Sequence, residues 1–480
     1  MSTTDPSYDV IVLGAGPAGE ALAGALREHD LSVAIVESGL VGGECAYYAC
    51  MPSKALLRPA EVLAETERVP GAAEAVHGPL DVARLLARRD EVVHHLDDTS
   101  KLGWLRDRGI ALIRGHGQIA GERCVRVGGE LLRARRAVAV AVGSAPAVPP
   151  IPGLDAVAPW TNREAALASR VPPTLIVLGG GPVGVEFAAA FASLGARVTL
   201  IESQERLLPG EEEFAGEQIG EALAKRGVDL RVGVEIRSVC REDAAVRAEL
   251  SDGRRVTGAE IVVATGRRPL TDDLGLESVG LQAGAFIEVD AGWRARGFDW
   301  LYAVGDVNGT ALLTHEAKRQ ARAAAAEIAG ERRSRPATVT SPPRVVFTDP
   351  QLAAVGLTLA RARELEMDAH AYDVPTAGTA GASFHGRNTP GTSRIVVDER
   401  RGVIVGATFV GFEVAEWLHA ATIAVAAAVP IEWLWDAVPA FPTRSEIWLA
   451  LLEARSSRRR ERAVNHDGAS GGTRAPTVAR

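Results

Sequence analysis

DVIVLGAGPAGEALAGALREHDLSVAIVES, residues 9–38, decides the fold. Val10 to Leu13 is a short apolar run of the kind that fills a buried strand. Gly14, Gly16 and Gly19 follow at G-x-G-x-x-G spacing, then an Ala/Leu-rich helical stretch, then a second apolar strand ending at Glu37. Strand, glycine turn, helix, strand and an acid about 20 residues on make a dinucleotide-binding fingerprint. The glycines let backbone N–H groups approach a pyrophosphate at a helix N-terminus, and Glu37 is placed to hold a ribose hydroxyl. The bland alternative is a glycine turn in some other α/β protein.

The pattern occurs twice. TLIVLGGGPVGVEFAAAFASLGARVTLIES, residues 174–203, repeats it with Gly179, Gly181, Gly184 and Glu202. An acid in that place favours NAD(H), because a carboxylate repels a 2′-phosphate; Arg206 nearby blurs the preference. This second nucleotide fold is expected to end near VVATGRRP, residues 262–269.

Between the fingerprints lies GGECAYYACMPSK, residues 42–54, with Cys45, Cys50, Pro52 and Lys54. A cysteine pair between two nucleotide sites suggests an electron relay. On a regular helix, residues five apart separate their Cα atoms by about 8–9 Å, whereas a disulfide needs about 4.4–6.8 Å. The segment must therefore be irregular, and Pro52 suits the first turn of a helix starting nearby. That helix N-terminus would favour a thiolate at Cys50. The alternatives are buried free thiols or half of a zinc site. No cysteine or histidine cluster supplies the remaining zinc ligands, so no metal is expected. The only other cysteines are Cys124 and Cys240, too few for a secreted disulfide scaffold.

Composition sets the outer bounds. The 480 residues are 47% hydrophobic and 24% charged, an ordinary globular balance with room for about three domains. A net charge of −8 gives no invitation to nucleic acid or an anionic membrane. No apolar run approaches the roughly 20 residues of a membrane span, and the N-terminus lacks a basic n-region. The expectation is a cytoplasmic protein without a signal peptide. Lysine occurs only at 54, 101, 225 and 318, which makes the one beside the cysteines informative.

Further along, WLYAVGDVNG, residues 300–309, ends a strand on Asp306, and a helix is expected from about His315 to Glu327. A linker is expected over 334–341. Strands RVVFT, SRIVVDE and VIVGATFVG and Ala-rich helices then build a domain that is not a nucleotide fold. The polar tail after Arg455 reads as disordered.

In this order the pieces resemble the pyridine nucleotide–disulfide oxidoreductases, the family of dihydrolipoamide dehydrogenase, glutathione reductase and mercuric reductase. The carrying motifs are the two fingerprints, Cys-x4-Cys-x-Pro-Ser-Lys, Ala264 to Gly266, Gly305-Asp306 and RVVFTDPQLAAVG from Arg344. The resemblance implies an α/β chain with two Rossmann-like FAD- and NAD(P)-binding domains and a C-terminal α+β dimerisation domain. The expected limits are 1–153 and 281–335 for the FAD-binding domain, 154–280 for the NAD(P)-binding domain, 336–455 for the interface domain and 456–480 for the tail.

It further implies that FAD sits on Gly14, Gly16, Gly19, Glu37, Lys54, Gly117, Ser144, Asp306 and Thr314, the last with His315 lending backbone near the flavin ring. NAD(P)H would sit on Gly179, Gly181, Gly184, Glu202 and Gly266, with NADH favoured. Hydride would pass to the flavin and on to a disulfide, Cys50 inside and Cys45 facing the substrate. Lys54 and Glu186 would pair beside the flavin. The assembly would be a homodimer whose active sites are each completed by the partner's C-terminal domain.

One position departs from the family. Members that turn over thiols carry His-Pro near the C-terminus, with a Glu five residues after the His. In AVPAFPTRSEIW, residues 437–448, Pro442, Thr443 and Glu446 align, but Phe441 stands where the His belongs. A phenyl ring moves no proton, and loss of a general acid–base costs about 10²–10⁴-fold in rate. Tyr47, Tyr48 and the C-terminal Trp417, Trp433, Trp435 and Trp448 suggest either an aromatic cleft for a flat acceptor such as a quinone or plain interface packing. The expectation is an FAD-dependent NAD(P)H oxidoreductase of diaphorase type. A dihydrolipoamide dehydrogenase-like or other small-disulfide reductase and a low-turnover redox-sensing flavoprotein are the alternatives.

Overall fold

Strand Ser7–Leu13 is fully buried from Val10 onward and takes the middle of a seven-stranded sheet. Its apolar run is flanked on both sides, as a parallel strand covered by helices requires. Val10 pairs in parallel with Val33 of strand Val33–Glu37 and with Ala137 of strand Glu130–Val140. Ala111–Arg114 and Leu301–Ala303 extend the parallel part, and a hairpin through Gly117–Ile119 and Cys124–Val127 adds an antiparallel edge. Because its neighbours connect in opposite directions, the end of Ser7–Leu13 is a switch point, where α/β sheets place their ligands.

The structure, a computed structural model, describes residues 7–331, 341–386, 389 and 391–470. The expected linker over 334–341 lies outside the described residues except for Ser341. Two compact units are present: Met1–Ala60, Gly78–Leu207 and Leu223–Ala337 form one, and Glu61–His77, Leu208–Ala222 and Thr338–Arg480 the other.

The first unit contains both fingerprints. Helix Pro17–Glu28 follows the first, with Pro17 opening it and Gly16 as its extended N-cap. Its Leu22 and Leu26 share a buried core with Ala321, Ala324 and Ile328 of helix Thr314–Ala329. The second fingerprint builds a parallel four-stranded sheet in the order Asp229–Arg231, Arg197–Ile201, Thr174–Leu178, Glu260–Val263. A three-stranded antiparallel sheet, Ile236–Glu242, Ala245–Leu250 and Arg255–Gly258, completes it.

The duplication extends to atoms. Gly14 and Gly179 donate to Val36 and Ile201, each at 2.8 Å. Both glycines have a left-handed φ, 100° and 110°. A Cβ on Gly19 would lie 1.9 Å from the Gly14 carbonyl oxygen, and one on Gly184 would lie 1.9 Å from that of Gly179. The third glycine of each motif therefore exists so that helix and strand can touch.

The second unit is α+β. Its five-stranded antiparallel sheet runs Arg344–Val346, Gln351–Gly356, Val403–Gly411, Thr392–Asp398, Ala369–Pro375. Phe409, Ile395, Leu418, Ile447 and Leu451 form its core. Helix Ile447–Ser470 corrects the expectation of a disordered tail from 456. Buried Ile447, Leu451 and Leu452 start the helix, Arg455 clamps Glu399 at 2.8 Å, and the Arg-rich stretch that follows has good helix propensity. Residues 471–480 lie outside the described residues.

The two glycines of the second fingerprint helix should behave differently. Gly184→Ala is expected to cost about 2–3 kcal/mol of stability. Gly181→Ala, where a Cβ meets nothing within 4 Å, should cost about 1 kcal/mol or less. Urea unfolding of the two variants gives the ranking, and equal costs would refute the close-approach account.

Candidate active site

The cysteine stretch is pinned to the first fingerprint turn. Gly42 N–H donates to the Ala15 carbonyl at 2.8 Å, and a Cβ on Gly43 would lie 2.8 Å from Gly16 Cα. Two helices then follow, Gly43–Tyr47 and one beginning at Cys50, broken at Tyr48 and Ala49. The break supplies the irregularity that the Cys45–Cys50 spacing demands. Glu44 anchors the short helix: Arg163 Nη2 reaches its carboxylate at 2.5 Å, and Asn162 Nδ2 donates to Glu44 and to the Tyr48 carbonyl, each at 2.8 Å.

Both cysteines are free thiols that converge on Thr314, the first residue of its helix. The Thr314 hydroxyl donates to Cys45 Sγ at 3.1 Å and lies 3.6 Å from Cys50 Sγ. The hydrogen bond from Cys45 lowers the Cys50 thiol to about 6 against the opposing effect of burial; Thr314 and the Lys54 ammonium add to the lowering, and Glu186 opposes it. Cys45 moves up, through its bond to Cys50, burial and the charge on Cys50. Lys54 Nζ donates to Glu186 Oε2 at 2.7 Å. Glu186 is buried in its apolar helix instead of facing solvent.

The two fingerprint acids are held alike. Glu37 accepts from the N–H groups of Ala15 and Gly39, both at 2.6 Å. Glu202 accepts from those of Gly180 at 2.6 Å and Gln204 at 2.7 Å. Beside Gly180 the space is tight: a Cβ there would lie 2.7 Å from Leu207 and 2.9 Å from Glu202 Cβ. Ser144 donates to Asp306 Oδ2 at 2.6 Å, and Arg267 donates to the Ser144 hydroxyl at 2.6 Å and carbonyl at 2.7 Å. Gly117 is buried, its missing side chain leaving room for Leu13 and Val36.

The chain matches the pyridine nucleotide-disulphide oxidoreductase family over residues 8–321 and that family's dimerisation domain over 342–451. It belongs to this family. A mercuric reductase from Staphylococcus aureus is 31% identical over 448 residues, 92% of this chain and 81% of the relative. A dihydrolipoyl dehydrogenase from Zymomonas mobilis is 30% identical over 449 residues, 92% and 96% of the two chains. Two solved structures each cover 93% of this chain and 99% of their own. They are the HOCl-induced flavoprotein disulfide reductase RclA from Escherichia coli (26% identity, TM-score 0.81) and LpdA from Mycobacterium tuberculosis (27%, 0.82).

The family binds FAD, uses NAD(P)H as electron donor and works as a homodimer. The second glycine of each fingerprint, and Gly266, fit such ligands. A Cβ on Gly16, Gly181 or Gly266 meets no protein atom within 4 Å, so the space beyond each turn is left open. Among the described residues no group of three or more His, Cys, Asp or Glu could hold a metal ion, and no helix is long and apolar enough to cross a membrane.

In the second unit Phe441 is 77% exposed. Glu446 accepts the Gly381 N–H at 3.1 Å, and Thr443 caps the Ala440 carbonyl at 2.6 Å. The expected aromatic cleft needs correction. Tyr47 is buried at 1% exposure with its hydroxyl on the Val41 carbonyl, and Tyr48 stacks under the Arg163 guanidinium. Trp417 and Trp448 pack edge-on against Phe409 in the core, which leaves Trp433 and Trp435 exposed. Sequence reasoning missed Arg267, although it sits in the quoted VVATGRRP, and missed Arg163. The only local signal for the latter is the capping box Thr161–Glu164 that starts its helix.

A lowered Cys50 pKa has a sign that can be checked. Between about 6 and 9.0 the folded pair has released a proton that the unfolded chain still holds, so the reduced fold gains stability as pH rises through that window. It loses that stability as pH falls through about 6. Infrared difference spectra of phosphine-reduced protein, wild type minus Cys50→Ser, should show the Cys50 S–H band vanishing with a midpoint near pH 6; a midpoint near 9.0 would refute the assignment.

Proposed function

We propose that this chain is an NAD(P)H:acceptor oxidoreductase of diaphorase type, with a flat ring such as a quinone as its acceptor. The observation that carries the reading is Phe441, an exposed phenyl at the place where thiol-reducing relatives need an imidazole. Glu446, which would orient that imidazole, spends its carboxylate on the Gly381 N–H instead. FAD supplies two-electron chemistry, taking hydride from NAD(P)H and releasing an electron pair to an acceptor.

The chain's own residues serve that chemistry in separable ways. Gly14, Gly16, Gly19 and Glu37, with Ser144, Asp306 and Thr314, would hold FAD. Gly179, Gly181, Gly184, Glu202 and Gly266 would hold the nicotinamide coenzyme. Glu202 favours NADH, since its buried carboxylate would repel a 2′-phosphate. Lys54, fixed by Glu186, would stabilise negative charge beside it. The Cys45–Cys50 pair, once oxidised, can take two electrons and one proton to give a Cys50 thiolate and a Cys45 thiol. In the homodimer each site would be completed by the second copy's C-terminal domain, where Trp433, Val438 and Phe441 are exposed and apolar. We place the enzyme in the cytoplasm, where a sparse and reducible cysteine set is at home.

A small-disulfide reductase is the second reading, favoured by the convergence of both sulfurs on Thr314. Steady-state oxidation of NADH and NADPH with quinone, lipoamide and small disulfides separates the two. Quinone turnover is expected to survive Cys45→Ser, with NADH preferred. Lipoamide turnover should lie about 10²-fold or more below it, and Phe441→His should raise it by a comparable factor. Efficient lipoamide reduction by the wild type would defeat the reading.

A further inference from the structure

The helix that carries Cys45 has little to hold it up by itself. Gly43–Tyr47 is five residues long, a single turn closed by the Tyr48 N–H on the Glu44 carbonyl at 2.8 Å, and its N-cap Gly42 has no side chain to give. A helix that short is unstable alone, so contacts from outside decide where Cys45 stands. Asn162 supplies them at both ends. It is 5% exposed, and its Nδ2 donates to Glu44 Oε1 and to the Tyr48 carbonyl, each at 2.8 Å. An amide nitrogen carries two hydrogens, so one atom bridges the start and the end of the same helix. Both partners are acceptors, which sets the amide with its nitrogen toward them.

Arg163 closes the bridge from outside. Its Nε and Nη2 donate to the second Glu44 oxygen at 2.9 and 2.5 Å, and its guanidinium carbon lies 4.5 Å from the centre of the Tyr48 ring. The bridging residues are themselves fixed. A capping box of Thr161 and Glu164 starts helix Asn162–Ala166, and the buried Arg89 grips its far end through the Ala166 and Ala168 carbonyls at 2.5 and 3.1 Å. Just upstream, Trp160 is zipped to strand Glu260–Val263. Its N–H donates to the Ile261 carbonyl and its carbonyl accepts the Val263 N–H, both at 2.8 Å.

We infer that Asn162 is a positioning residue for the redox pair: by bridging Glu44 and Tyr48 it keeps Cys45 within reach of Cys50 and so favours closure to the disulfide. Arg163 assists it. Closure takes two electrons and one proton from the Cys45 thiol and the Cys50 thiolate as the S–S bond forms. Oxidised dithiothreitol, the oxidant of the test, takes that electron pair, that proton and one more from water as its own S–S bond breaks. Loosening the bridge frees the open pair more than the closed one, which its cross-link already restrains. The equilibrium then moves toward the open pair.

The role rests on reading Cys45 and Cys50 as a redox pair, whatever the acceptor, and its test needs no turnover. The FAD-loaded homodimer is equilibrated near neutral pH with mixtures of reduced and oxidised dithiothreitol. Alkylation and mass spectrometry of the Cys45–Cys50 segment give the closing constant, and urea unfolding is followed in parallel. Asn162→Ala should lower the constant about tenfold, which is about 30 mV toward easier reduction. Asn162→Asp keeps the shape, removes both donors and sets a charge beside Glu44, so it should lower the constant at least as far. Arg163→Met, at a half-exposed position, should lower it about threefold. Constants equal to the wild type's in the Asn162 variants overturn the role, even where urea shows them less stable. If those variants fail to fold, Arg163→Met decides alone, and an unchanged constant there overturns the role. A wild type that never closes its disulfide overturns the redox-pair reading together with the role. Absent quinone turnover beside the expected shifts sinks only the acceptor assignment.

Discussion

Two hydrogens where side chains would otherwise stand hold the first unit together. Without a Cβ on Gly19 the fingerprint helix lies directly on the carbonyl of Gly14, and Gly184 does the same over Gly179. That contact fixes where the strand ends and where the helix begins. The turn then offers the Ala15 carbonyl to Gly42 and the Gly16 Cα to Gly43, so the cysteine stretch inherits its position from the same turn. Everything that gives Cys45 and Cys50 their chemistry follows from there. Glu44 ties one helix down, the break at Tyr48 and Ala49 turns the chain, and Cys50 opens the next helix.

The charges of the site are spent in pairs. Glu186 is buried and would be costly alone, but the Lys54 ammonium bonds it and stays partly exposed. Asp306 is engaged by Ser144, which in turn is gripped by Arg267. The cysteine pair follows the same logic with one proton between two sulfurs: ionising one suppresses ionisation of the other, so the pair behaves as a single titrating group with one thiolate.

Local patterns carried most of the fold. Periodicity and glycine spacing mark both fingerprints, and the strand run and alternating helices mark the class. The cysteine spacing forces a break that the structure supplies. The Lys54–Glu186 pair spans 132 residues and was reachable only because a family resemblance aligned its two ends. What stayed hidden was contact without a local signature. The Thr314 hydroxyl reaches Cys45 across 269 residues, and Arg163 reaches Glu44 across 119. Tyr47 looked like a surface aromatic because neighbouring polar residues say nothing about which way a short helix rolls. The helix beyond Arg455 was misread because composition reports solubility, whereas an apolar anchor and an Arg455–Glu399 clasp decide whether a polar helix persists.

The two repeats share a plan, yet they are not interchangeable parts. The residue after the first glycine is Ala15 in one and Gly180 in the other, and at Gly180 Leu207 and Glu202 already occupy the space a methyl would need. Both turns hold their acid at the same 2.6 Å, but only the first leaves room for a methyl beside it. An alanine after the first glycine is accommodated in one repeat and excluded in the other, so the two turns cannot exchange that residue.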